Sequence, residues 1–436
     1  MGTTAFARGA LLLVPGIVCI LSSTPVRGEE QALSLPRVVE LSLQNNGDLN
    51  AFREEKGIRD AGKVRAGLLP NPTLELEGGT GALTGNSDEN SLSIGISQEF
   101  SLTGKRGKRL TLAERELEMY RWQVADRERL LREEVQTDFY GVILDEQRLA
   151  LADRSIALNR ELLEVARERL AAGDIPELEM NLVKVELARS EGARIETERT
   201  LRQKLARIGT LSGLATDELP ALTGTLDAGP ATPKALAGLK QLARENRADL
   251  KALEAEKSRG EADIILARAE GVPNLTAGLF YSHEQRTDAT GAGEETVRDN
   301  LLGIRLSLPL PLFDRNQAGI QEARAKRSST ESRLLAAGRN VERDVETAYA
   351  SYQNSEKVLS LYKTTVIPQL EENLKLTQEA YRLGEVGILS VIQEQKKFFE
   401  VSEGYLAALH DRQTALVKLE AAVGLNISTN DFGRHQ

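Results

Sequence analysis

The sequence predicts a mainly α-helical protein with a small β part. Long coiled-coil helices would form an α-barrel wall, and four transmembrane β-strands per chain would contribute to a shared, 12-stranded β-barrel in a trimer. Three observations carry this expectation. The chain repeats itself at a shift of about 210 residues. One long proline-free stretch holds apolar heptads. Four short segments alternate apolar and polar residues. Composition agrees: of 436 residues 28% are charged and only 4% aromatic, fewer aromatics than a globular core of this size holds. The net charge of −9 argues against a nucleic-acid surface, which needs clustered Lys and Arg.

The first element reads as an export signal, residues 1–28. Arg8 supplies positive charge, Ala10 to Leu21 is apolar but short for a bilayer span, and small residues follow in Ser22 to Gly28. A short membrane anchor is the alternative. Cys19 is the only cysteine. Ile17 and Val18 before it are bulkier than the residues that usually precede a lipidated cysteine, so the mature chain is expected without thiol or disulfide. No later segment offers ~18 consecutive apolar residues, so membrane insertion must use strands or an amphipathic surface.

Two copies follow, 33–214 and 236–425, joined by a Thr-, Pro-, Gly- and Ala-rich linker, 215–235, and followed by a tail, 426–436. Leu92 to Leu102 matches Leu302 to Leu312, Asp48-Leu49 matches Asp249-Leu250, Gly173 matches Gly384, and Gly213-Leu214 matches Gly424-Leu425. Each copy opens with a helix of ~30 residues (Leu35 to Ala66; Ala235 to Ala269). Pro-Asn punctuation comes next (Pro70-Asn71-Pro72; Pro273-Asn274), then two strands, a very long helix, a Gly-containing turn and another long helix.

The strands are the membrane candidates. Leu74 and Leu76 start the first, and Leu92, Ile94 and Ile96 share one face of the second. Leu275, Ala277, Leu279 and Tyr281 share a face of the third, and Leu302, Ile304, Leu306 and Leu308 are the lipid-facing candidates of the fourth. Period-2 alternation over ~9–11 residues suits a barrel with lipid outside and water inside. Polar, Gly-rich loops are expected at Thr80 to Asn90 and at Glu284 to Asp299. Alternation alone favours an ordinary soluble hairpin with one buried face. The long helices decide. Gly104 to Ala172 contains no proline, and at ~1.5 Å per residue it makes roughly 100 Å of helix. Val135, Val142, Leu149, Ile156, Leu163 and Leu170 recur every seven residues, and Leu144, Leu151, Leu158 and Val165 make a second stripe on the other side. Apolar stripes on two sides mean a neighbour on each, as in a barrel wall. Four strands cannot close a barrel alone, because open edges in lipid leave backbone groups unpaired at several kcal/mol each. Three copies would supply 12 strands.

This order, doubled behind an export signal, resembles the TolC family of outer-membrane efflux proteins over nearly the whole mature chain. Ser97-Gln98-Glu99-Phe100-Ser101-Leu102-Thr103-Gly104-Lys105-Arg106 looks like the first strand-to-helix junction of that family. Leu308-Pro309-Leu310-Pro311-Leu312-Phe313-Asp314-Arg315-Asn316-Gln317 looks like the second, and Tyr381-Arg382-Leu383-Gly384-Glu385 resembles a helix tip. The junction motifs are most similar to the CzcC-like, heavy-metal branch. Within the junctions, Pro309 and Pro311 end the strand, Gly104 admits the sharp turn into the first long helix, and Asp314 is expected to cap the second.

The resemblance implies a passive, homotrimeric exit duct in the outer membrane of a Gram-negative bacterium, with a long periplasmic extension. It implies partnership with a periplasmic adaptor and a proton-driven inner-membrane RND pump, and helix tips that close the periplasmic end. Acidic residues ring that constriction in better-known members. Here the corresponding positions are Ser390 and Gln393, so that ring is not reproduced. Glu385 and Glu394 in the second copy, and Glu177 and Glu179 in the first, are candidates for a displaced ring, although each taken singly suits a solvated tip better. Arg169, Arg382 and Leu383 are candidate adaptor contacts.

No catalytic or cofactor motif is present: the chain has no Walker loop, nucleophile elbow or dinucleotide fingerprint. His283, His410 and His435 are scattered and lack metal-ligand spacing. No enzyme activity, cofactor or bound metal is therefore expected. Two alternatives stay open: a channel for organic compounds or proteins, and a soluble periplasmic coiled-coil scaffold or adaptor.

Overall fold

The computed structural model describes residues 32–83, 85, 87–215, 219–227, 233–290 and 293–427. The predicted export signal with Cys19, and most of the tail including His435, lie outside them. The first copy comprises β1 (Leu33–Ser34), α1 (Leu35–Asn45), α2 (Gly47–Glu54), α3 (Lys56–Gly67), β2 (Thr73–Thr80), β3 (Asn90–Phe100), α4 (Lys105–Ala172) and α5 (Glu177–Ser212). The linker contributes β4 (Leu222–Thr223). The second copy comprises α6 (Leu236–Asn246), α7 (Ala248–Glu270), β5 (Leu275–Thr290), β6 (Gly293–Ser307), α8 (Gln317–Leu361), a π-turn (Tyr362–Val366), α9 (Ile367–Arg382) and α10 (Ile388–Val423).

The expected ~30-residue opening helices are broken. Asn46 leaves the helical region at ψ 122°, and Arg247, its counterpart in the second copy, does so at ψ 121°. At Asn46 the side chain offers the backbone an alternative to the next helical hydrogen bond, and at Arg247 two carboxylates hold the side chain. Asn46 Oδ1 accepts from the Leu49 amide at 2.9 Å while its Nδ2 donates to the Leu211 carbonyl at 3.3 Å. Arg247 bonds Asp249 at 2.6 Å and Asp344 at 3.3 Å. The long helix of the second copy is also interrupted, by the π-turn and by Pro368 at the start of α9. Its counterpart α4 runs unbroken for 68 residues.

The α4 stripes find the two expected neighbours. Val135, Val142, Ile156 and Leu163 of the heptad stripe are buried. Near the tip, Leu163 joins Val183 of α5 in one cluster. Leu158 and Val165 of the second stripe face α9 and α10 across a small gap beside Tyr381 and Val391. The linker is no loose tether. β4 pairs in parallel with β1, Leu33 opposite Leu222, and Leu226 is fully buried in a core with Val38, Phe139, Val142 and Ile208. Gly224 is required there, since a Cβ would come 2.8 Å from the Phe139 ring.

The four-stranded sheet has the order β2-β3-β5-β6 with every neighbour antiparallel. The register sorts its residues by face. Leu74, Ile96, Leu279 and Ile304 stand in one row, and Leu76, Ile94, Tyr281 and Leu302 in the next. This face is apolar and open: Leu302, Ile304 and Leu306 are 77%, 73% and 67% exposed. It ends at a polar rim, where Asn300 accepts from the Tyr281 hydroxyl and meets His283 Nδ1, each at 2.8 Å. Leu308, expected on the lipid face, instead follows the last residue of β6, because Pro309 ends the ladder one residue later.

The first loop lies between Thr80 and Asn90 as expected. The second does not span Glu284 to Asp299. Those residues continue the β5–β6 ladder to Thr290 opposite Gly293, beyond the last partner in β3. Backbone pairing needs no apolar face, so a polar two-stranded ribbon extends past the apolar band. Asp314 also differs from expectation. It accepts from the Asn316 amide at 2.8 Å in a turn before α8, and Asn316, at φ 58°, is the residue that precedes the helix.

Candidate functional site

The two hairpin tips lie side by side. α4 and α9 each end on a left-handed glycine, Gly173 at φ 83° and Gly384 at φ 77°. Each tip closes with paired backbone bonds: Gly173 N to Leu170 O with Asp174 N to Arg169 O, and Gly384 N to Tyr381 O with Glu385 N to Ala380 O. Ile175, Val183, Tyr381, Ile388 and Val391 then pack into one apolar cluster drawn from both copies.

Arg169 is the clasp between the tips. Its Nη1 donates to the Tyr381 carbonyl at 3.1 Å and its guanidinium sits 4.9 Å from the Tyr381 ring centre. Burial pushes the Tyr381 phenol above its ordinary range; Arg169 opposes this and Glu179 adds to it. Arg382 pairs with Glu161 of α4, and Lys396 of α10 pairs with Glu186 of α5 at 2.5 Å. These contacts, with Arg148 of α4 to Glu403 of α10 at 3.1 Å farther from the tip, tie the first hairpin to the second.

The other candidates are distributed along the tip. Glu177 is exposed and Glu179 half-buried in the first turn of α5, where a helix N-terminus favours carboxylates. Leu383, 76% exposed, and Glu385 stand on the α9–α10 turn. Ser390 and Gln393 are exposed on the first turns of α10, whereas Glu394 is half-buried near Lys397 at 4.0 Å. Sequence reasoning missed the Tyr381 clasp, Lys396–Glu186 and a buried polar seam. In that seam Asn159 donates to Ser190 at 2.8 Å, and Gln395 is buried nearby. These line a groove of about 430 Å³ between α4, α5 and α10, together with Lys396 and Phe399. Polar residues interrupting the coiled-coil pattern were the available signal.

The second functional surface is the polar face of the sheet. Where all four strands pair, it carries Glu75, Glu77, Glu284 and Asp299 against Arg305, and Arg286, just beyond on β5, pairs with Asp299 at 3.6 Å. Both outer edges, β2 and β6, lack a strand partner among the described residues. With every neighbour antiparallel, β2 and β6 also run antiparallel to each other, so copies could pair edge to edge in the same sense.

Residues 38–214 and 239–425 match the outer membrane efflux protein family. The cobalt-zinc-cadmium resistance protein CzcC of Cupriavidus metallidurans is 26% identical over 406 residues, 92% of this chain and 93% of CzcC. The pyoverdine export outer membrane protein OpmQ of Pseudomonas aeruginosa is 23% identical over 90% of this chain and 84% of its own. A solved structure of CusC superposes with a TM-score of 0.74 at 18% identity, covering 90% of this chain and 92% of that one; the likeness is one of fold. The two matched stretches coincide with the two copies of the repeat, so the chain belongs to the outer membrane efflux protein family and is an efflux channel protein of the bacterial outer membrane.

Proposed function

We propose that this channel is the homotrimeric exit duct of a tripartite pump for heavy-metal cations, working with a periplasmic adaptor and a proton-driven RND transporter. The observation that carries the cargo is the charge of the sheet. Its apolar face meets lipid, so its polar face meets the transported solute, and where all four strands pair that face presents four carboxylates against Arg305, with Arg286 beside Asp299. Such a surface enriches cations and repels anions over a Debye length of about 10 Å. The likeness to CzcC points the same way. Glu75, Glu77 and the facing pair Glu284–Asp299 are spread over three rungs, which favours passage of hydrated ions over tight coordination. The Arg169–Tyr381 clasp and its flanking ion pairs hold the periplasmic end closed. The α4–α5–α10 groove offers an adaptor hairpin its seat.

The test is growth of a deletion strain across graded cobalt, zinc, cadmium, nickel, copper and silver, beside detergents and dyes. Hypersensitivity confined to a set of metals, restored by the intact gene, is the expected outcome. Sensitivity to organic compounds with metals unaffected would keep the channel and overturn the cargo.

A further inference from the structure

Arg305 and Glu75 occupy opposite edges of one sheet, on β6 and β2, with β3 and β5 between them. Three strand spacings separate their backbones, about 14 Å measured along the sheet. Their charged atoms nevertheless lie 2.8 Å apart. Such a reach requires a sheet curved with its polar face concave, and a clear path across that face. The path is clear because the intervening rungs carry small residues. Ser97 and Gly278 stand in the rung of Arg305, and Gly95 and Gly303 flank Phe280 in the rung of Glu75.

The contact is braced from both sides. Ser97 Oγ donates to Glu75 Oε1 at 2.8 Å. The Arg305 guanidinium lies 5.1 Å from the centre of the Phe280 ring. That ring covers Gly303, where a Cβ would come within 2.5 Å of it. A half-open cavity of about 260 Å³, reaching Thr276 and Ser307, lies beside the contact. An isolated surface ion pair would be worth little. Here glycines on neighbouring strands, an aromatic ring and a hydroxyl all accommodate the same crossing.

We propose that Glu75, Phe280 and Arg305 form a constriction inside the strand barrel, a strap across the inner face of each protomer, separate from the helix-tip gate. This rests on the reading that the polar face lines a barrel closed by three copies. Such a 12-stranded barrel has a backbone radius of about 12 Å from its strand spacing and tilt. The bridged side chains run along the wall and stand inward of its backbone, so three straps narrow the outer end of the duct for bulky solutes while hydrated ions pass. The strap is therefore a size filter, and Arg305 is its specificity-determining residue.

Cysteine labelling in intact cells tests this without depending on the state of the tip gate. One cysteine replaces Ser307, on the periplasmic side of the strap, and another, in a separate variant, replaces Ser91, on its outer side. A small cationic methanethiosulfonate and a bulky polyethylene-glycol maleimide are added from outside, with the unsubstituted chain as blank. Labelling is normalised to trimer in the outer membrane. The small reagent should reach both positions, and the bulky one should label Ser307→Cys at least roughly tenfold more slowly than Ser91→Cys. That gap should close when Arg305→Ala is added, and also with Glu75→Gln, which breaks the strap from its other end. Equal labelling by the bulky reagent with the strap intact, or a gap that survives both changes, would overturn the strap. Labelling of Ile94→Cys, on the opposite face, in place of Ser91→Cys would overturn the barrel reading together with it.

Discussion

Single side chains carry the two mechanical claims. Ile304 and Leu306 stand in the exposed apolar rows, where an arginine costs ~2–4 kcal/mol at the bilayer midplane. Ile304→Arg is expected to abolish trimer in outer-membrane fractions, and normal amounts would show that the lipid face has been assigned to the wrong rows. Arg169→Ala removes a cation–π contact and a charge-assisted bond to the Tyr381 carbonyl, together about 2 kcal/mol of tip-to-tip contact. Its expected result is a channel that conducts more in planar bilayers, with Arg169→Lys only partly restoring closure because an ammonium cannot stack and donate in the same fork. Unchanged conductance in Arg169→Ala would mean that the gate is held elsewhere. Arg169 was legible as a tip residue. Its partner was not, since Tyr381 lies in the other copy, and only the packing of the hairpins brings the two together.

Elements were legible where a local pattern was strong. α4 begins at Lys105 and ends at Ala172, the stretch that its heptads and its lack of proline mark out. β2 and β3 meet at the expected loop. The breaks in the opening helices have one cause: a side-chain partner that lies far away along the chain. Asn46 breaks the first helix because its amide finds the Leu211 carbonyl, 165 residues on. Asn46→Ala is expected to cost about 1 kcal/mol through the lost cap. The trimer should then dissociate at a lower temperature on unheated and heated gels, with its amount in the membrane little changed; an unaltered dissociation temperature would remove Asn46 from the list of structural determinants. The polar β5–β6 ribbon was read as a loop because its residues are polar and Gly291 and Gly293 interrupt them. The ladder between the strands, not burial, makes them extended.

At the scale of the whole molecule, neither copy is self-sufficient. The equatorial core combines Val38, Phe139 and Ile208 of the first copy with Leu359 and Leu409 of the second, and the tip cluster does the same. The sheet likewise alternates copies only at its centre, where β3 of the first pairs with β5 of the second. Its outer edges stay open, which a lipid environment does not tolerate without another copy on each side. A duct of this kind passes its cargo without holding it. Purified channel is accordingly expected to bind zinc no more tightly than ~1 mM by calorimetry, about 4 kcal/mol of binding free energy. Micromolar binding would refute a purely passive duct.

The sequence by itself determined the doubled order of elements, the length of the long helices, the apolar face of each strand and the family resemblance, because each of these is written in residues that are neighbours or recur at a fixed period. Tertiary structure alone decided which faces meet. The β3–β5 register, the Arg169–Tyr381 clasp, the burial of the linker and the Glu75–Arg305 crossing join residues 80 to 230 positions apart in order of magnitude. Local periodicity contains no term for such pairs. Their partners are chosen by how hairpins stack and how a sheet curves, which is a property of the packed whole.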